Sequence, residues 1–256
     1  MFAAEHRVQG PPAGGGAAAS SAPSPSQNRL LAALTTADLE PLLPHITLTG
    51  LALGTVLYES GSEMDDMYFP ISGVVSLLYV LADGHSTELA VVGNDGCVGI
   101  ALVLGGQTTP SRAVVQIAGY AYRVRSSAIL AEFRKGGRTA RVLLRYIQAL
   151  ITQMVQTAVC NRHHTVEQQL CRWLLLSLDR VPSDTISMTQ ELISNMLGVR
   201  RSGVTEAARK LQAAGVIEYS RGQITVSDRA KLAAHACECY AVVKKETDRL
   251  DPSMLP

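Results

Sequence analysis

Hydrophobic positions change their spacing several times along this chain, and each change predicts a different kind of structure. Residues 1–28, with PPAGGGAAASSAPSPSQ at their heart, carry too little apolar surface to offset ordering entropy and predict a disordered tail. From Arg29, LLAAL and then TADLEPLL read as short helical turns, the second capped by Thr36. The spacing then becomes that of strands. MYFPISGVVSLLYVL, the Asp83-Gly84 turn signal and STELAVV predict strands joined by a hairpin, GNDG a tight turn, and RAVVQIAGYAYRV further strands. Many short strands with glycine turns predict a sandwich or jelly roll over 29–136.

After Gly136 and Gly137 the period turns helical over 137–162. Leu143, Leu144, Ile147, Leu150, Ile151, Met154, Val155 and Ala158 form a broad stripe, while Arg141, Arg145, Gln148 and Gln156 fall elsewhere on the wheel. Such a stripe needs a partner, either the strand domain or the same helix of a second subunit, and a homodimer is the expectation. Over 163–232, Thr165 caps VEQQLCRWLLLSLDRV, and Thr189 caps a helix that begins with Glu191 in its first turn and buries Leu192, Ile193, Met196 and Leu197. Gly198 ends it, a second helix turns Val204, Ala207, Ala208 and Leu211 inward, and VIEYS-RGQ-ITV folds as a two-stranded hairpin after Gly215. Helix, glycine turn, helix and wing make a winged helix-turn-helix. The extension 233–256 adds a helix with Tyr240 and Val243 on the side of Leu232 and Ala236, expected to pack back on that domain. The fold class is α+β.

Charge sharpens this picture. The net charge is only +1, yet Leu30 to Ser111 holds no Lys or Arg beside its acids, and Arg134 to Arg172 sets Lys135, Arg138, Arg141, Arg145 and Arg162 against Glu167 alone. An acidic front and a basic rear point to a polyanion at the rear. The chain shows no apolar run of about 20 residues, no secretory signal pattern and an odd cysteine count, so the expectation is a cytoplasmic protein with reduced thiols and no membrane partner. GxxxxGK[ST], HExxH and a nucleophile elbow are all missing, which leaves an enzyme without its machinery.

In this order of parts, and above all in TQELISNMLGVRRSGVTEAARKL, the chain resembles the Crp/Fnr family of bacterial transcription regulators from about residue 30 to 230. The resemblance implies a cyclic-nucleotide-binding-like β-roll, a long dimer helix, and a homodimer reading a pseudo-palindromic duplex, with RNA polymerase a further partner if the protein activates. Arg201 can donate two hydrogen bonds to a guanine edge, and Arg200, Arg209, Lys210 and wing residue Arg221 suit phosphates. Thr189, Gln190, Ser202 and Thr205 complete the candidate DNA surface. Ser202 stands where the family often has Glu, and Glu206 where it often has Arg, so the base sequence read should differ. Arg200 is a poor cap, and Ser202 is expected to cap instead, starting the helix later.

The same resemblance implies a phosphate cassette of Gly-Glu…Arg-Ser/Ala in GCVGIALVLGGQTTPSRAVV. Gly99 matches its glycine, but Ile100 takes the glutamate position and Ser111 the arginine position, with Arg112 one residue late. Neighbouring strand side chains point to opposite faces, so Arg112 should aim away from the pocket unless the register slips. Met154 and Val155 stand where two polar residues of the long helix would meet the base. Gly99, Ser111, Arg112 and Met154 are therefore the candidate effector residues, cyclic AMP is not the expected ligand, and another nucleotide or anion stays open through a slipped Arg112. No cofactor or metal is expected. Residues 1–96 lack cysteine, which removes the family's N-terminal iron–sulfur cluster. Cys160, His163, His164 and Cys171 have zinc-type donors in no standard spacing and read as packing, and Cys237 and Cys239 as exposed helix positions.

Overall fold

The computed structural model describes residues 22–250. Two short helices, α1 (Arg29–Ala32) and α2 (Thr36–Leu39), precede seven strands: β1 (Ile46–Leu51), β2 (Val56–Tyr58), β3 (Asp66–Pro70), β4 (Val74–Val80), β5 (Ser86–Val92), β6 (Ser111–Ile117) and β7 (Gly119–Arg125). They pair antiparallel in two sheets, β1-β7-β3 and β2-β6-β4-β5. Alternation does the sorting: Met67, Phe69, Tyr122 and Val124 from one sheet meet Val75, Leu77, Ala90, Ala113 and Val115 from the other in one core. This is the expected roll, with β1 and β2 added. Neither carries a clean alternation, β1 showing only Leu51 fully buried, so no period announced them.

Helices α3 (Ser126–Arg134) and α4 (Arg138–His163) follow, then α5 (Val166–Leu178). Next come β8 (Thr185–Ser187), α6 (Gln190–Leu197), α7 (Arg201–Ala213), β9 (Ile217–Ser220), β10 (Gln223–Val226), α8 (Arg229–His235) and α9 (Glu238–Asp248). Strand β8 adds to the hairpin, so the wing has three strands in the order β8-β10-β9 rather than two.

Several expectations need correction. Residues 1–21, most of the expected tail, lie outside the described residues, as do 251–256. Residues 22–28 are not tail-like: Ser24 caps a single turn over Pro25–Gln27, and Asn28 is wholly buried, its amide donating to Pro70 O and Gly96 O at 2.8 Å each. The cap of α2 is Thr35 in a capping box with Asp38, which draws the Asp38 carboxyl below its usual range. The C-terminal extension is broken by Ala236 and Cys237 between α8 and α9, and α9 lies mainly along α4, not along the winged domain alone.

The apolar stripe of α4 is two stripes. Val142, Leu143, Tyr146, Ile147 and Leu150 bury against the roll, whereas Leu144 (53 % exposed), Ile151 (50 %) and Val155 (51 %) point away. The outer face of the four-stranded sheet is covered too: Val74 and Val91 pack on Leu176 of α5 and Val243 of α9. Among the described residues no helix is long and apolar enough to cross a membrane.

Candidate functional site

The helix pair gathers the candidate DNA residues on its outer side. Thr189 caps α6, its hydroxyl accepting from Leu192 N at 3.2 Å. Gly198 closes the helix with φ 65, a left-handed conformation that is cheap only for glycine. Val204, Ala207, Ala208 and Leu211 bury one face of α7, so Arg201, Ser202, Thr205, Arg209 and Lys210 are exposed on the other. Thr205 Oγ1 donates to Gln190 Oε1 at 2.7 Å and ties the two helices at their open edge. Glu191 lies 3.9 Å from Arg201 and Glu206 3.0 Å from Lys210. Such exposed pairs are weak, and a phosphate or base can replace them.

Helix α7 does not wait for Ser202 to cap it. Arg200 is the N-cap, its carbonyl taking the N–H of Gly203 at 2.9 Å while its side chain makes no cap bond. Arg201 is therefore the first helical residue and Ser202 the second. Leu192, expected in the core, is 44 % exposed, and Ser194 is buried in its stead. At the wing tip Arg221 has φ 51 and Gly222 φ 78. Two successive positive φ values make the tight turn that matches strand twist. Met188 N donates to Gly222 O at 2.6 Å, which holds Arg221 beside the start of α6.

The four candidate effector residues are not brought together. Gly99, φ 100, opens a single turn over Ile100–Leu102, and a Cβ there would come 3.1 Å from Asp66 O. On β6, Ala113 and Val115 face the roll's interior, and Ser111 shares their side, 3.1 Å from Thr109 Oγ1 and 3.5 Å from the Tyr58 hydroxyl. Burial pushes that phenol up from its ordinary range. Arg112 lies on the opposite face, its Nε 3.1 Å from Glu59 Oε2. Met154 packs against the roll core from α4. A cavity of about 410 Å³ opens between the glycine-rich loop and α3, lined by Glu63, Asp65, Leu102, Gly106, Phe133 and Arg134 among others. None of the four candidates lines it, and its two carboxylates outnumber its arginine.

A charged seam joins the roll to the DNA-side domain. Arg180, just past α5, holds Asp95 in two contacts of 3.0 and 2.7 Å, both side chains more than nine-tenths buried. On β5, Glu88 accepts from Ser76 Oγ at 2.6 Å with Arg172 and Arg180 nearby, and burial pushes its carboxyl up to about 7.

At the hinge between α4 and α5, Cys160, His164, Cys237 and Cys239 converge, their donor atoms all within 4.8 Å of one another. Cys237 and Cys239 are buried, contrary to the exposure expected of them, while Cys171 packs in the core of the winged domain and His163 is exposed. A bond from the Cys160 thiol draws Cys237 down and Cys160 correspondingly up. The donor types were legible in the sequence, but the 77 residues separating Cys160 from Cys237 hid their meeting.

Comparison with known proteins agrees with this architecture. The cyclic nucleotide-binding domain family matches residues 50–135, and the Crp-like helix-turn-helix domain family matches residues 168–235. No curated protein matches the chain. Among solved structures it is similar to a Crp/Fnr-family protein from Eubacterium rectale, at 15 % identity and TM-score 0.64, over 80 % of this chain and 96 % of that one. It is also similar to FixK2 from Bradyrhizobium japonicum, at 17 % identity and TM-score 0.62, over 75 % and 98 %. A third is the c-di-GMP responsive global regulator CLP of Xanthomonas campestris, at 16 % identity and TM-score 0.62, over 76 % and 100 %. At these identities the likeness is one of fold. The two matched domains, in this order on one chain and joined by one long helix, make the protein a member of the Crp/Fnr family, whose members are transcription regulators and not enzymes.

Proposed function

We propose that the protein is a homodimeric, cytoplasmic, sequence-specific DNA-binding regulator whose α7 enters the major groove of a pseudo-palindromic site. The observation that carries this reading is the clear outer face of α7, where Arg201, Ser202, Thr205 and Arg209 stand exposed between the start of α6 and the wing tip. Arg201 reads a base edge; Thr189, Gln190, Arg200, Arg209, Lys210 and Arg221 hold phosphates. Two copies joined along the outward stripe of α4 present two such helices about one DNA turn, roughly 34 Å, apart.

The protein does not answer to cyclic AMP in the family's manner. Arg112 is engaged by Glu59 on the outer side of β6, and the neighbouring cavity carries Glu63 and Asp65, which repel a phosphate. A shifted register that turns Arg112 inward would exchange Ala113 and Val115 out of the core, so a nucleotide- or anion-responsive variant of this reading has the buried side of β6 against it.

Ligand-free protein incubated with randomised duplexes should retain a two-fold symmetric motif with half-sites one turn apart. Retention that begins only when a cyclic nucleotide is added would restore the effector reading, and no retention under either condition would overturn the proposal.

A further inference from the structure

We propose that Cys160, His164, Cys237 and Cys239 form a site for a tetrahedral, thiolate-preferring divalent ion, namely zinc, that fastens α9 to the hinge. Cys160 comes from the last turn of α4, His164 is its C-cap, Cys237 is the N-cap of α9 and Cys239 lies in that helix's first turn. Two donor pairs, Cys-x-x-x-His and Cys-x-Cys, thus meet from elements distant in the chain, which is why no finger spacing is visible.

The geometry is already close to tetrahedral. Bond lengths of about 2.3 Å to sulfur and about 2.0–2.1 Å to nitrogen give tetrahedral edges of about 3.8 Å between sulfurs and about 3.6 Å from sulfur to nitrogen. Cys160 and Cys237 Sγ are 3.5 Å apart, and Cys239 Sγ is 3.6 Å from His164 Nδ1. With every donor pair within 4.8 Å, the remaining edges need to shorten by no more than about 1 Å.

The surroundings fit a bound cation. His164 Nε2 lies 3.4 Å from Glu238 Oε2, an arrangement that keeps the ring proton on Nε2 and turns the Nδ1 lone pair to the thiols. Gln169 fixes the backbone of the same turn, donating to His164 O at 3.0 Å. The three thiols are buried, at 0, 6 and 1 % exposure, in a cluster of their own that, among the described residues, includes no other apolar side chain. Cysteines used only as small apolar filler would merge with a larger core, as Cys171 does. Three thiolates and a neutral imidazole around a divalent ion carry a single net negative charge. Arg172, buried and bonded at 3.2 Å to Thr157 one turn before Cys160, with its Nε lacking a hydrogen-bond partner among the described residues, stands ready to neutralise it.

The test is metal analysis of the full chain, purified under reducing conditions from zinc-containing medium, followed by stripping and titration with cobalt(II). The expected result is about one zinc per chain, and a cobalt form with intense tetrahedral d–d bands and a thiolate charge-transfer band. The double variant C237S/C239S should lose the metal, His163→Ala should keep it, and Glu238→Gln should weaken binding by about 10-fold through the loosened imidazole. If the cysteine variants fail to fold, the cobalt titration of the wild-type chain decides alone. A folded wild-type chain that takes up no zinc and gives only weak octahedral cobalt bands overturns the site. So does formation of a Cys160–Cys237 disulfide in the presence of zinc, or retention of the metal by the folded double variant.

Discussion

Arg201 and Arg221 are both exposed cations on the winged domain, and in the proposed reading their different backbones give them different tasks. Arg201 sits at the start of α7, where its side chain projects ahead of the helix; its nearest carboxylate, Glu191, is 3.9 Å away. Arg201→Ala should remove about 1–3 kcal/mol of discrimination at one base pair and leave the dimer intact, as read by competition binding on single-base variants. Unchanged site preference would refute its role. Arg221 instead occupies a left-handed wing position, which costs an arginine about 1 kcal/mol and is free for glycine. Arg221→Gly should therefore leave thermal stability equal or higher while weakening all sequences alike and lowering the salt slope of binding by about 1. The exposure of both arginines was legible in the sequence. Glu88 was not, because only the folded chain buries this β5 carboxyl, and burial raises it despite the opposing pull of Arg172 and Arg180. Its folded value of about 7 lies above the ordinary 4.5, so the native state keeps a proton that the unfolded state has lost. The stabilisation is complete below about pH 4.5 and fades as pH rises through about 7, a change of roughly 3 kcal/mol across the window. Urea titrations at stepped pH should show that slope in the wild type and a flatter one in Glu88→Gln.

Helix α4 shows what a hydrophobic pattern can and cannot say about an element. Its stripe spans more of the wheel than one partner can cover, and the sequence supplied two candidates, the roll and a second subunit. The structure assigns Leu143, Ile147 and Leu150 to the roll and leaves Leu144, Ile151 and Val155 outward, a division periodicity alone could not draw. Ile151→Glu should place a charge on the outward seam, shift the species in light scattering from dimer to monomer, and weaken binding to the symmetric site at least about 10-fold while leaving the fold intact. A dimer that survives would move the interface elsewhere. Elements with weaker patterns escaped the sequence for physical reasons. Strand β8 has three residues and is defined by its partner β10, and α3 starts at Ser126 behind an N-cap, Arg125, whose side chain makes no capping bond to mark it. Among the turns that were legible, those at Gly84 and Gly198 hold a positive φ that favours a residue without Cβ. The winged domain was the most readable part because the Thr165 and Thr189 caps, the Gly198 turn and the inward face of α7 agree there, although the cap of α7 and the place of Leu192 do not, whereas the metal-type cluster needs a helix return that no local signal encodes.

Across the whole molecule, the roll and the DNA-side domain are held as one unit by a seam in which polar groups are as buried as the apolar ones. Val74 and Val91 meet Leu176 and Val243 at its centre, and Gly198 of the helix turn comes against Thr87 of β5, where a Cβ would lie 3.1 Å from the threonine hydroxyl. Arg180 is the seam's anchor. Its aliphatic stem lies over Gly93, where an added Cβ would approach it to 2.6 Å, and its guanidinium pairs with Asp95 at 2.7 Å. A buried ion pair adds little over an apolar pair of equal shape, but removing one partner strands the other, so its main effect is to fix which surfaces meet. Asp95→Ala should therefore destabilise the chain by about 3–5 kcal/mol, leaving Arg180 its bonds to Leu176 O and, at 3.5 Å, to Gln153. Gly93→Ala should have the same sense by displacing the stem. Replacing Asp95 and Arg180 together by apolar residues should recover most of the loss in denaturant midpoint, which a sum of independent contacts would not do. If Asp95→Ala unfolds at the wild-type midpoint, the seam is not what sets the angle of the winged domain on the roll. If instead it unfolds in two steps, with the winged domain melting separately, Asp95 and Arg180 are what couple the roll to the DNA-reading helices.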